Sequence, residues 1–117
     1  MAVPSVDTRV SGGCVHVLVD GEMIYEHQAL LRERFEELLK HSEACIVVNL
    51  AGVGFCDSSG LNVLLDLRRQ TEQNDRQLLL ACVPASLRRI LELTGSDQVL
   101  RIYDTVAEAE AACTAQP

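Results

Sequence analysis

The strongest constraint on the fold is a pair of short runs, "CIVVNL" (45–50) and "LLLACV" (78–83), that are apolar on both faces. A strand with one solvated face alternates apolar and polar residues, whereas a strand covered on both sides reads as one apolar run. Between the two lies a segment from Ser58 or Ser59 to about Gln73, with Leu61, Val63, Leu64, Leu65 and Leu67 early in it, that fits a helix. Strand, helix, strand at this length implies parallel pairing through a crossover.

The rest of the chain extends that pattern. "PSVDTRV" and "CVHVLVDGE" flank "SGG" and predict a β-hairpin, with "DGE" closing the second strand. In "IYEHQALLRERFEELLKHSEA", Leu31, Phe35, Leu38 and Leu39 recur at helical spacing opposite Arg32, Glu33, Glu36 and Glu37. "AGVGFCD" reads as a connection rich in small residues, and "EQNDRQ" ends the helix that follows it. Pro84 stops the second apolar strand, "ASLRRILEL" predicts a short helix, and "QVLRIY" an edge strand. Asp104 is the expected N-cap of a last, Ala-rich helix, "TVAEAEAAC". The expected fold is therefore α/β, a mixed and mostly parallel sheet in the order β-β-α-β-α-β-α-β-α with helices packed on it.

The 117 residues suit one domain spanning 1–117, with about 112–117 as a frayed tail. No run approaches the roughly 18 apolar residues of a membrane span. "MAVPSVDTRV" has no basic region followed by an apolar one, so a cytoplasmic protein is expected. A net charge of −7 argues against nucleic acid and anionic membrane as partners. The five cysteines are odd in number and form no CxxC, so neither a disulfide framework nor a zinc site is expected. Cys45 and Cys82 read as small hydrophobes in strands, and Cys56, beside Asp57, is a minor candidate for a functional thiol. His16, His27 and His41 show no ligand spacing; no metal and no cofactor is expected.

The candidate functional element is "VGFCDSSGLNVLL" (53–65), where two hydroxyls and a carboxylate interrupt two apolar segments. Functional loops of open α/β sheets lie at the carboxyl ends of strands, and this one also opens a helix. Asp57 or Ser58 can accept the free N–H groups of the first turn, and Gly60 permits close backbone approach. A phosphate on Ser59 would sit at the positive end of the helix dipole, so it would not melt the domain but would present about two negative charges to a docked partner. A plain helix cap is the competing reading. A GxSxG nucleophile elbow is absent, since Cys56 and Asp57 stand two residues before the serines, and all histidines come earlier in the chain. A P-loop is absent because no lysine is near.

With those residues in view, "IVVNLAGVGFCDSSGLNVLLDLRR" resembles the signature of STAS domains, the anti-sigma factor antagonists of bacteria. "GGCVHVLVDGEM" resembles their second strand, and "LLLACVPASLRRILELTGSDQVLRIYDTVAEAEAA" their later strands and helices. The resemblance implies partner switching. The unphosphorylated antagonist binds an anti-sigma factor that is itself a serine kinase, phosphorylation of Ser59 releases it, and a serine phosphatase restores it. It implies no catalytic residues in this chain. The implied partner surface is the "FCDSSG" loop, with Asp57, Ser58 and Gly60, and the exposed side of the next helix, with Asn62, Asp66 and Arg69; the "DGEMIYE" loop is expected beside it, and a homodimer is left open. The chain departs from the family's G-E-L-D in having Gly21-Glu22-Met23-Ile24. The alternative role is that of a STAS subunit in an ABC-type transport complex, or of a scaffold domain that is never phosphorylated.

Overall fold

The computed structural model describes residues 3–114. Its elements are β1 (Ser5–Ser11), β2 (Cys14–Met23), α1 (Gln28–Leu38), β3 (Cys45–Cys56), α2 (Ser58–Gln73), β4 (Gln77–Ala81), α3 (Ala85–Thr94), β5 (Arg101–Tyr103) and α4 (Val106–Thr114). Single 3-10 turns, Tyr25–His27 and Ser96–Gln98, precede α1 and follow α3. The strands stand in chain order β1-β2-β3-β4-β5. β1 runs antiparallel to β2, and the later neighbours are parallel. Gly12 and Gly13, both at positive φ, make the two-residue hairpin turn.

Chain-order parallel strands with crossovers of one hand put every crossover helix on one face. The main core follows that rule. Val15, Val17 and Val19 of β2, Ile46, Val48 and Leu50 of β3, and Leu78 and Leu80 of β4 meet Leu31 and Phe35 of α1, Leu64 and Leu67 of α2, and Leu87 and Leu91 of α3. The alternate residues, Cys14, Cys45, Val47, Leu79 and Ala81, form a smaller cluster with Ala109 of α4 on the opposite face. The central runs are apolar apart from Asn49 because both faces of β3 and β4 are covered.

Arg76 ties the bottom of the sheet together. It is 8% exposed, and its Nε donates to the Glu43 carbonyl at 2.7 Å while a terminal nitrogen reaches the Leu38 carbonyl at 3.4 Å. It thereby supplies a cation and donors to the C-terminal end of α1, where carbonyls lack partners.

Four expectations are corrected. "AGVGFC" is strand rather than connection, because β2 also continues past Gly21 and supplies a partner: Asp20 pairs with Gly52, Gly21 with Val53, Glu22 with Phe55 and Met23 with Cys56. The α4 cap is Thr105, whose hydroxyl accepts the Glu108 N–H at 3.1 Å; Asp104 lies one residue too early and pairs instead with Arg88 at 3.7 Å. The tail expected over about 112–117 overlaps α4, which runs to Thr114, and 115–117 lie outside the described residues. The absence of a disulfide is overturned by a Cys45–Cys113 bridge between the first residue of β3 and the last turn of α4.

Candidate functional site

The long β2–β3 ladder delivers two chain segments to one end of the sheet, and α2 starts there. Met23 and Cys56 end their strands side by side. The Asp57 N–H donates to the Met23 carbonyl at 3.2 Å, holding the turn between β3 and α2 against the end of β2. The cap is Asp57, with extended backbone (φ −103, ψ −172); Ser58 is the first helical residue. Asp57 Oδ1 accepts the N–H groups of Ser59 at 2.8 Å and Gly60 at 3.3 Å. Its Oδ2 accepts the Tyr25 N–H from the segment after β2, at 3.2 Å. One carboxylate thus joins the helix start to the β2–α1 loop.

Gly60 explains why α2 can begin so close to both strands. A Cβ there would lie 2.5 Å from Cys56 Sγ, 2.6 Å from the Met23 carbonyl oxygen and 2.9 Å from Met23 Cβ. The third strand connection is Ser86, whose hydroxyl accepts the Cys56 N–H at 3.1 Å and brings the start of α3 to the same corner. Cys56 itself is sealed at 0% exposure. Burial, reinforced by the neighbouring Asp57 carboxylate, pushes its thiol up to about 12, so it is not a nucleophile.

The six expected partner residues divide by exposure. Ser58, Asn62 and Arg69 are exposed, Asp57 and Asp66 are half-buried, and Gly60 is buried against Cys56 and Met23. Ser59, half-buried, stands three residues from Asn62 and seven from Asp66, so the three share one face of α2. Asp66 does not project freely. It pairs with Arg32 of α1 and, at 3.2 Å, with Arg69. It therefore marks the α1–α2 groove, which Phe35, Val63 and Gln70 also line. Ile24 precedes the 3-10 turn, its carbonyl accepting the His27 N–H at 2.9 Å, between the Met23 and Tyr25 groups that touch Asp57.

Each of the two loops expected at the partner surface leaves an aromatic exposed. Tyr25, whose N–H bonds Asp57, is 70% exposed, and Phe55, two residues before Asp57, is 48% exposed. With only two Phe and two Tyr in the chain, aromatic side chains left in water beside a candidate loop are a signal. Tyr25 falls in the expected "DGEMIYE" loop and Phe55 in the expected "FCDSSG" loop.

The fold and site define a small α/β docking domain. Two hydroxyls stand at a capped helix end beside exposed aromatics, and among the described residues no hydrogen bond links either serine hydroxyl to a base. The family model for the STAS domain matches residues 5–109, and the chain belongs to that family. It is similar to an anti-sigma F factor antagonist of Paenibacillus polymyxa, 26% identical over 83% of this chain and 84% of the relative. Among solved structures it resembles an anti-sigma factor antagonist from Mycobacterium paratuberculosis, with TM-score 0.84 and 23% identity over 93% and 92% of the two chains. It also resembles the anti-sigma factor antagonist SpoIIAA in its unphosphorylated form, with TM-score 0.70 and 16% identity over 97% and 100%. The phosphorylated form of SpoIIAA from Bacillus gives TM-score 0.70 at 18% identity over 93% and 99%.

Proposed function

We propose that this chain is an anti-sigma factor antagonist that docks on an anti-sigma factor serine kinase in the cytoplasm and is released when that kinase phosphorylates Ser59. A serine phosphatase would reset it. The chain would be a binding module rather than an enzyme, the nucleotide and the catalytic groups belonging to its partners.

The observation that carries this reading is the placement of Ser59 in the first turn of α2, behind a carboxylate cap that also holds the β2–α1 loop. Phosphorylation adds about −1.5 to −2 charges at neutral pH. The dipole at the start of a 16-residue helix tolerates that charge. Asp57 and a docked partner would not, since like charges and desolvation both oppose contact there. The exposed Tyr25 and Phe55 supply the apolar anchors that a transient interface needs beside its polar switch. The sealed thiol of Cys56 argues against nucleophilic chemistry at the same corner.

The test is a pull-down of the candidate kinase by Ser59→Ala and Ser59→Asp. Ser59→Ala should bind and stay bound when ATP is added; Ser59→Asp should not bind. Equal capture of both variants would remove the switch. No helix among the described residues is long and apolar enough to cross a membrane.

A further inference from the structure

At the far end of β3 from Ser59, three cysteines converge from three elements. Cys14 opens β2, Cys45 opens β3 as its neighbour in register, and Cys113 lies in the last turn of α4. Their sulfurs all lie within 4.8 Å of one another. Cys45 and Cys113 are bonded, and Cys14 Sγ stands 3.4 Å from Cys113 Sγ. Cys14 and Cys45 are almost sealed, at 2% and 1% exposure. A disulfide needs two sulfurs, and this corner gathers three.

We propose that the reduced chain binds one thiophilic d10 cation, Cu(I), through Cys14, Cys45 and Cys113. Soft thiolate donors select Cu(I) or zinc over harder ions. Zinc in a closed site takes four protein ligands, whereas among the described residues this group holds three sulfurs and no histidine or carboxylate. Three-coordinate Cu(I) matches that number. Metal–sulfur bonds of about 2.3 Å around a trigonal ion set the sulfurs roughly 4 Å apart. Cys14 and Cys113 are close to that spacing already, and the Cys45–Cys113 pair opens to it once its bond is broken.

The chemistry balances with a dithiol as reductant. Its two electrons and two protons cleave the Cys45–Cys113 bond to two thiols, and the dithiol leaves as its own disulfide. Cu(I) then replaces the three thiol protons, which pass to solvent. The bridge and the ion compete for the same sulfurs, so the oxidised chain holds no copper.

The test uses full-length protein reduced with a phosphine under anaerobic conditions and titrated into Cu(I)–bathocuproine disulfonate. Copper transfer is read as loss of the complex's visible absorbance. Wild type and Cys82→Ala should each withdraw one equivalent. Cys14→Ala, Cys45→Ala and Cys113→Ala should each weaken binding by more than about 100-fold, beyond the roughly 10–100-fold loss expected for a contact outside the ligand set. Circular dichroism verifies that each variant is folded, and Cys14→Val replaces Cys14→Ala if the latter is not. Copper held by the Cys14 variant as tightly as by wild type would overturn the site. So would copper left entirely with the chelator by protein that thiol titration shows to be fully reduced. Neither result bears on Ser59, which lies at the other end of the strand.

Discussion

Replacing Gly60 with alanine tests the geometry of the candidate site most directly, because two physical effects predict opposite signs. Gly60 lies in the first turn of α2, where helix propensity alone favours alanine over glycine by up to about 1 kcal/mol. The added methyl, however, meets Cys56 Sγ, the Met23 carbonyl oxygen and Met23 Cβ at 2.5, 2.6 and 2.9 Å. The sulfur could rotate away. The carbonyl could not, since it belongs to the last residue of β2 and already accepts the Asp57 N–H. Overpacking of this kind costs about 1–3 kcal/mol, and three contacts including backbone belong at the upper end. Subtracting the propensity gain leaves a net loss of about 2 kcal/mol.

For a chain of this size that loss corresponds to a fall in Tm of roughly 8 °C, at about 4 °C per kcal/mol. Urea unfolding followed by far-UV circular dichroism measures the same quantity. The midpoint should fall by about 1 M for a slope near 2 kcal/mol/M. Gly54→Ala is the control: nothing lies within 4 Å of its added Cβ, so its stability should stay within about 0.5 kcal/mol of wild type. Adding Cys56→Ala to Gly60→Ala relieves the sulfur contact but not the carbonyl. The pair should therefore be less destabilised than the sum of the singles, by about 0.5–1 kcal/mol. A Gly60→Ala protein as stable as wild type would refute the close approach of α2 to the ends of β2 and β3.

Two further outcomes follow from buried groups. Cys56 should resist alkylation by iodoacetamide in the native protein at pH 8 and react once urea unfolds it, because burial and Asp57 raise its thiol to about 12; rapid native labelling mapped to Cys56 by mass spectrometry would contradict this. The sign for stability is the same: the protonated thiol is favoured in the fold, so its contribution is complete below the ordinary value of 9.0 and is lost as pH rises toward 12. Arg76→Met should cost about 1–3 kcal/mol in urea unfolding by removing the donor to the Glu43 carbonyl and the second donor to the Leu38 carbonyl, which keeps its bond from the His41 N–H, and a loss below about 0.5 kcal/mol would show that water replaces the guanidinium.

What the sequence made legible, and what it hid, has a physical pattern. "CIVVNL" and "LLLACV" could be read as central strands because covering both faces leaves only Asn49, half-buried, as a polar position in the two runs. The DSSG element could be read as a helix start because capping chemistry is local, a matter of a side-chain oxygen and the next two or three N–H groups. The far half of β3 was hidden, since Gly52 and Gly54 carry loop propensity and only pairing with β2 makes the segment a strand. The Cys45–Cys113 bridge was hidden for the same reason at longer range. Its cysteines are 68 residues apart in sequence, and only the docking of α4 on the second sheet face brings them together. Asp104 and Thr105 are both good caps, and the one-residue choice between them was settled by the pairing of Asp104 with Arg88.

The continuation of β3 to Cys56 changes how a phosphate at Ser59 would act. Had residues 51–56 formed a loop, charge at Ser59 would have altered only a mobile connection. Instead both flanking strands are paired to their last residues, and Asp57 is fixed by its own N–H on Met23 and by three N–H groups on its carboxylate. In the proposed switch, a dianion on Ser59 competes with that carboxylate for the N–H groups of the first turn, and the two anions repel. The paired strands resist movement, so the contact to the least anchored segment gives way. That contact is the bond from the Tyr25 N–H at 3.2 Å, in a segment held by one 3-10 turn. Phosphorylation would therefore do more than place charge on a docking surface. It would also release the loop that positions Tyr25, the most exposed aromatic on that surface, so repulsion and loss of the apolar anchor act in the same direction.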